Sequence, residues 1–196
     1  MINVAENVNF VLGGGSDNLT IMGNSSLTQN IIYSKGNITL KDNLVINNSY
    51  ASNGVIYVYA GSLKMEGGEI SNNQSNAITS NMKESDVTID IYGGKIYNNT
   101  KNSSFYGSAI YIISSSSYAA TVNIYGEAQI FNNNNSSGAA IRLNDDDSVL
   151  YINSSASENS AKIYDNTTTN IQIDAGQLFI NNTEIDLSNY TDSNIQ

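Results

Sequence analysis

Few residues in this chain can do acid–base or metal chemistry, and the densest group is a run of three. Asp145, Asp146 and Asp147 are consecutive, shortly after the run AAIRL at 139–143, which holds Arg142, the one arginine of the sequence. Three carboxylates on one loop offer the kind of oxygen that Ca²⁺ collects, six to eight at a time. Two carboxylates at a set separation are what a glycosidase uses. The plainer reading of a charge run is a solvated loop between structural elements, and that reading leads. Calcium at Asp145, Asp146 and Asp147 stands as a speculative metal site, and no residue is assigned to catalysis. The chain has no His and no Cys. Ser-His-Asp and Cys-His catalysis, His-ligated zinc, thiolate metal sites and disulfides are thereby excluded.

The second group is aromatic. Tyr occurs 13 times. Tyr57 and Tyr59 lie two apart and so share one face of a strand. Tyr111 falls in the matching strand of a later repeat. Tyr92 and Tyr125 each precede a glycine in equivalent positions, and Tyr97, Phe131 and Tyr164 each precede a pair of polar residues, Asn-Asn or Asp-Asn. Exposed, such rings form a platform for sugar faces or a partner protein, because Tyr brings area and a hydroxyl at low entropic cost. Covered, they are an aromatic ladder that stabilises a sheet. Tyr57, Tyr59, Tyr92, Tyr111 and Tyr125 are the candidate ligand-binding residues.

The elements that carry these residues repeat. IDIYGGKIYNN at 89–99 has echoes in LKMEGGEISNN at 63–73 and VNIYGEAQIFNN at 122–133. A paired-Asn mark falls at Asn47-Asn48, Asn72-Asn73, Asn98-Asn99, Asn132-Asn133 and Asn181-Asn182, with a related Asp165-Asn166. The early spacings are about 25 residues and the later ones about 33, which fits one solenoid coil per mark, with loops inserted in the longer coils. Residues 100–106, 114–120, 143–148 and 154–160 are the candidate loops. Two residues before the mark runs an apolar column of Val45, Ile70, Ile96, Ile130 and Ile163. A second column is Leu40, Met65, Ile91 and Ile124. Asp42-Asn43, Gly67-Gly68, Gly93-Gly94 and Gly126 turn the chain between them, and a third short strand follows the mark. Alternation at period 2 sends Ile, Val, Leu and Met inward. Asn at a recurring bend tolerates the left-handed conformation and bonds to its copies in neighbouring coils. The pattern predicts an all-β single-stranded parallel β-helix of about six or seven coils with three short strands each. The whole chain, 1–196, forms one domain, with residues 1–23 and 184–196 as irregular or capping ends.

GGEISNN…NAI, GGKIYNN…GSAIYI and IFNNNNSSGAAIRL resemble the repeats of bacterial cell-surface right-handed parallel β-helix proteins, adhesin-like and polymorphic outer-membrane-type. The resemblance covers about residues 38–182. It implies a right-handed coil and an exported surface module that binds a glycan or host protein on an exposed sheet face. A looser resemblance to pectate lyases and polygalacturonases implies a polysaccharide lyase or glycoside hydrolase, but those enzymes want His or a basic cluster beside the acids, and this chain departs from that pattern. An inert stalk is the third reading.

Charge limits the partners. With 18 acidic and 8 basic residues the formal net charge is −10, so nucleic acid is not an expected partner, phosphate binding needing a basic footprint. No apolar run reaches the 18 residues of a membrane span, so no membrane insertion is expected. The first residues do not read as a signal peptide, and the expected location, secreted or at the cell surface, rests on the resemblance.

Overall fold

The computed structural model describes residues 1–101, 106–113, 115, 117–154, 160–193 and 195. Among them there is no helix, and the strands wind as a β-solenoid of about six turns. The expected loops at 100–106, 114–120 and 154–160 fall partly outside the described residues.

Three parallel faces build the coil. The first stacks Ile2–Val4, Ile32–Ser34, Ile56–Val58, Ile78–Ser80 and Gly107–Ile112, followed by the first legs of the long strands Asn134–Ile152 and Thr167–Ile180. The second stacks Asn9–Leu12, Asn37–Leu40, Gly61–Met65, Val87–Ile91 and Ala120–Ile124, then the second legs of the same long strands. The third stacks Leu19–Met22, Leu44–Asn47, Glu69–Ser71, Lys95–Tyr97, Gln129–Phe131 and Lys162–Tyr164.

Period-2 alternation becomes radial here. In Val87–Ile91 the residues Val87, Ile89 and Ile91 are buried, while Thr88 and Asp90 point out. The inward column of the second face runs Leu12, Leu40, Met65, Ile91, Ile124, Ile152 and Ile180, longer at both ends than the motif suggested. On the third face the column is Ile21, Ile46, Ile70, Ile96, Ile130 and Ile163. Val45 is displaced from its expected place, because it pairs with Glu69 and it is Ile46 that meets Ile70. The mark at that coil is Asn48-Ser49, one residue later than the sequence pattern placed it.

The two positions of the mark do different work. Asn48, Asn72, Asn98, Asn132 and Asp165 hold φ between 51 and 55°, the left-handed corner that Asn and Asp tolerate better than most. The next residue points inward and forms a ladder. Asn73, Asn99 and Asn133 each donate from Nδ2 to the Oδ1 of the following Asn, at 2.8, 3.0 and 3.1 Å, and Asn166 continues to Asn170 at 2.9 Å. Oδ1 of Asn99, Asn133 and Asn166 each also takes a backbone N–H from the coil before it.

The two ends are built differently. Residues 2–22 form a complete coil in register with the next one, and its outer edge exposes Val8, Val11, Leu19 and Met22. Asn181-Asn182 is no ladder corner. It reverses the chain with φ of 50 and 62°, so that Thr183–Glu184 runs antiparallel along the last strand. Asp192 then accepts the N–H groups of Asn170 and Ile171, and Ile195 pairs antiparallel with Ile163. Thr183, Glu184, Asp192 and Ile195 thus lie across two faces.

Residues 143–148 are no free loop either. They lie inside the strand Asn134–Ile152, whose register shifts on either side of Asn144. Leu143 is held in the inward column, so the coil turns without leaving the wall.

Candidate functional site

The aromatic columns divide by what their ring faces touch. Tyr97 stacks on Phe131 at 5.0 Å and 1°, and Phe131 on Tyr164 at 5.2 Å and 9°. Phe131 is thereby covered on both faces. The Tyr97 hydroxyl donates to Glu69 at 2.7 Å, and that bond, more than burial, holds its phenol above the usual range. This column is a ladder that stiffens the third face.

Tyr57 and Tyr59 share the outer side of the first face as expected, and Tyr33 joins them. Tyr33 stacks on Tyr57 at 5.8 Å and 8° and tilts against Tyr59 at 5.6 Å. Lys35 sits 5.0 Å from the Tyr59 ring centre and pairs with Glu84 at 2.5 Å. Tyr111 is not part of this group. Thr79 separates it from Tyr57 in register, its exposure is only 7%, and the ring of Tyr106 meets it edge-on at 5.1 Å. All six residues of Gly107–Ile112 are buried, on both sides of the strand. Tyr111 therefore offers no platform, and burial raises its phenol pKa.

The acidic run is split as well. Asp145 is buried, whereas Asp146 and Asp147 are exposed. Asp145 Oδ1 accepts the Ser115 N–H at 2.7 Å and Oδ2 accepts the Ser148 hydroxyl at 2.5 Å, while the Ser148 oxygen accepts the Ala120 N–H. This carboxylate ties the chain at Ser115 to the next coil. Among the described residues no three His, Cys, Asp or Glu side chains are grouped so as to hold a metal ion, so the three aspartates do not converge. Arg142 pairs with Asp174 of the following coil and not with the acidic run.

Tyr92 and Tyr125 meet edge to face, at 5.3 Å and 66°. Beside them, on the second face, the outward positions in successive coils are Lys64, Asp90, Asn123, Tyr151 and Phe179. Tyr151 stacks on Phe179 at 5.0 Å, and its other neighbour in register is Asn123. Asn123 Nδ2 donates to Asp90 Oδ1 at 2.7 Å. Asp90, Asn123, Tyr125, Tyr151 and Ser154 line a cleft of about 230 Å³. Burial raises the Tyr125 phenol pKa, and the nearby Asp90 charge adds to that. A wider groove of about 620 Å³ follows the glycine corner past Asp42, Glu69 and Lys95, with no aromatic residue in its lining.

Sequence reasoning named Tyr125 and missed Asp90, Asn123 and Tyr151. The signal was present, since each is the middle residue of an apolar-x-apolar triplet in one column: IDI, VNI and LYI. Comparison of the chain with protein-family models, with curated proteins and with solved structures finds no match. Among the described residues no helix is long and apolar enough to cross a membrane.

Proposed function

We propose that the chain is a non-enzymatic, rigid β-helix module of an exported surface protein, used as an adhesin-like or structural segment. The observation that carries this reading is the Asn ladder. The residues that recur in the repeat are spent on stacking coils: the left-handed corner, the buried amide and the inward aliphatic rung. The likeness of the repeat to adhesin-like β-helix proteins points the same way. Any partner, glycan or host surface protein, meets the outward side chains. A polysaccharide lyase or hydrolase would need free acids with a basic neighbour, and here Asp145 is occupied by Ser115 and Ser148 while Arg142 is held by Asp174.

Two measurements test this. Antibodies against the solenoid should label intact cells of the source organism, and purified protein should leave acidic polysaccharides unchanged. Turnover that disappears in Asp147→Asn would overturn the non-enzymatic reading, and labelling only after lysis would overturn the surface assignment.

A further inference from the structure

The outward column Asp90, Asn123 and Tyr151 sets an aromatic ring beside a hydrogen-bonded amide–carboxylate pair. In the stack Tyr97–Phe131–Tyr164 the middle ring is covered on both faces. Tyr33 is shared between Tyr57 and Tyr59. Tyr151 is stacked on one side only, by Phe179, and on the other it borders a hydrogen-bonded amide–carboxylate pair. Tyr125 closes the cleft from the adjoining corner.

We propose that this cleft is a binding subsite for a neutral pyranose of an oligosaccharide chain. The inference stands on the cleft's own geometry and does not depend on the protein being exported. A pyranose ring has an apolar face of axial C–H groups and a rim of hydroxyls. The C–H face suits the negative π-face of Tyr151, and its burial against the ring is hydrophobic. The rim needs an acceptor and a donor–acceptor side by side. Asp90 supplies a carboxylate whose Oδ2 is left over from the Asn123 bond, and Asn123 supplies its amide oxygen and the second hydrogen of its Nδ2. The pair is preoriented by its own 2.7 Å bond, so little side-chain freedom is lost on binding.

Sign of charge chooses among sugars. The cleft holds the Asp90 carboxylate, and the nearest cation, Lys64, is paired with Glu66 at 2.7 Å. The whole chain carries −10. Uronates, sulfated sugars and sialylated chains are therefore repelled, and neutral hexoses or N-acetylated hexosamines are accepted. The strands lie about 4.8 Å apart, so a chain running along the solenoid axis passes from Tyr151 over Asn123 to Asp90 in two rungs. The subsite is thus one or two sugars long.

Titration calorimetry tests it on the intact chain, with gluco-, manno- and N-acetylglucosamine hexamers and a galacturonate hexamer as probes. At least one neutral hexamer should bind, and the galacturonate hexamer should not. Tyr151→Ala and Asp90→Ala should each weaken binding by about tenfold or more, while Tyr57→Ala, on a different face, should leave it unchanged. Because Tyr151→Ala also removes the Phe179 stack, Asp90→Ala, at a surface position, keeps the test valid if the first variant misfolds. Absence of binding to every neutral hexamer, preference for the galacturonate, or binding that survives Asp90→Ala each overturns the proposal.

Discussion

The side-chain amide of Asn99 donates to Oδ1 of Asn133 at 3.0 Å, and the Asn99 backbone N–H donates to the same oxygen at 3.2 Å. One buried residue, Asn99, thereby closes two bonds to the next coil, and a third runs back from its Nδ2 to the Ile70 carbonyl at 2.9 Å. Asn99→Ala leaves that carbonyl and the Asn73 backbone N–H without their partner and the Asn73 amide with only its bond to the Ile46 carbonyl. It should lower unfolding stability by about 3 kcal/mol, since each orphaned buried group costs about 1–3 kcal/mol. Asn98→Gly should stay within about 0.5 kcal/mol of the parent, because glycine takes the 54° φ of that corner without strain. Urea titrations followed by circular dichroism read both. Equal losses at the two positions would contradict the ladder.

The register at the second coil has its own test. Ile46 is fully buried and pairs with Ile70, whereas Val45 is half-buried and pairs with Glu69. Ile46→Asp should abolish folding, as Ile96→Asp should, through an unpaired buried charge. Val45→Lys should change stability by no more than about 0.5 kcal/mol, the range usual for surface changes. A folded Ile46→Asp protein would mean the column is drawn one residue out.

Asp145 is expected to act on stability alone. Asp145→Ala removes the acceptor of the Ser115 N–H and of the Ser148 hydroxyl and should cost about 2 kcal/mol. Asp146→Ala and Asp147→Ala, at exposed positions, should be nearly silent. Millimolar calcium should not move the melting midpoint of the parent. A calcium-dependent rise that Asp146→Ala and Asp147→Ala remove would restore the metal site.

Alkaline pH should loosen the C-terminal end first. Tyr190 packs on the core beside Asp192, and burial, followed by that carboxylate, pushes its phenol from 10.0 up to about 12. A raised folded-state pKa favours the neutral phenol in the native state. The stabilisation is complete below pH 10 and is lost as pH rises from about 10 through about 12. Tyr190→Phe cannot ionise, so its stability should fall less than the parent's over that interval, as read by denaturant midpoints at stepped pH. Parallel curves for the two proteins would place Tyr190 outside the packed end.

The coil itself was legible in the sequence because its physics is local and repeated. Alternation fixes which side chains turn inward, and Asn at a left-handed bend marks each corner. The columns through Ile91 and Ile96 follow from counting. Counting failed where the chain breaks its own period. At Asn47-Asn48 an extra Asn before the corner shifted the mark by one, and nothing local tells Asn47 from Asn48 until strand pairing with Glu69 and Ile70 decides it. At Asn181-Asn182 the same dipeptide makes a reversal that sends Thr183–Glu184 back along the last strand.

What the sequence alone determined is therefore the solenoid, its three strands per coil and the residues of its inner columns apart from the rung where Ile46 and not Val45 turns inward, since burial demands the same residue types at the same spacing in every rung. What only the tertiary structure decided is which outward residues meet. Tyr111 is covered because the chain at Tyr106 packs over it, Asp145 turns in to hold Ser115, and Arg142 reaches Asp174 one coil on. Asp90, Asn123 and Tyr151 lie far apart in the chain and become neighbours only because stacking sets successive coils side by side. Outward positions are not bound by the demands of the core, so their types vary freely from rung to rung, and the adjacency that makes a cleft of them belongs to the fold.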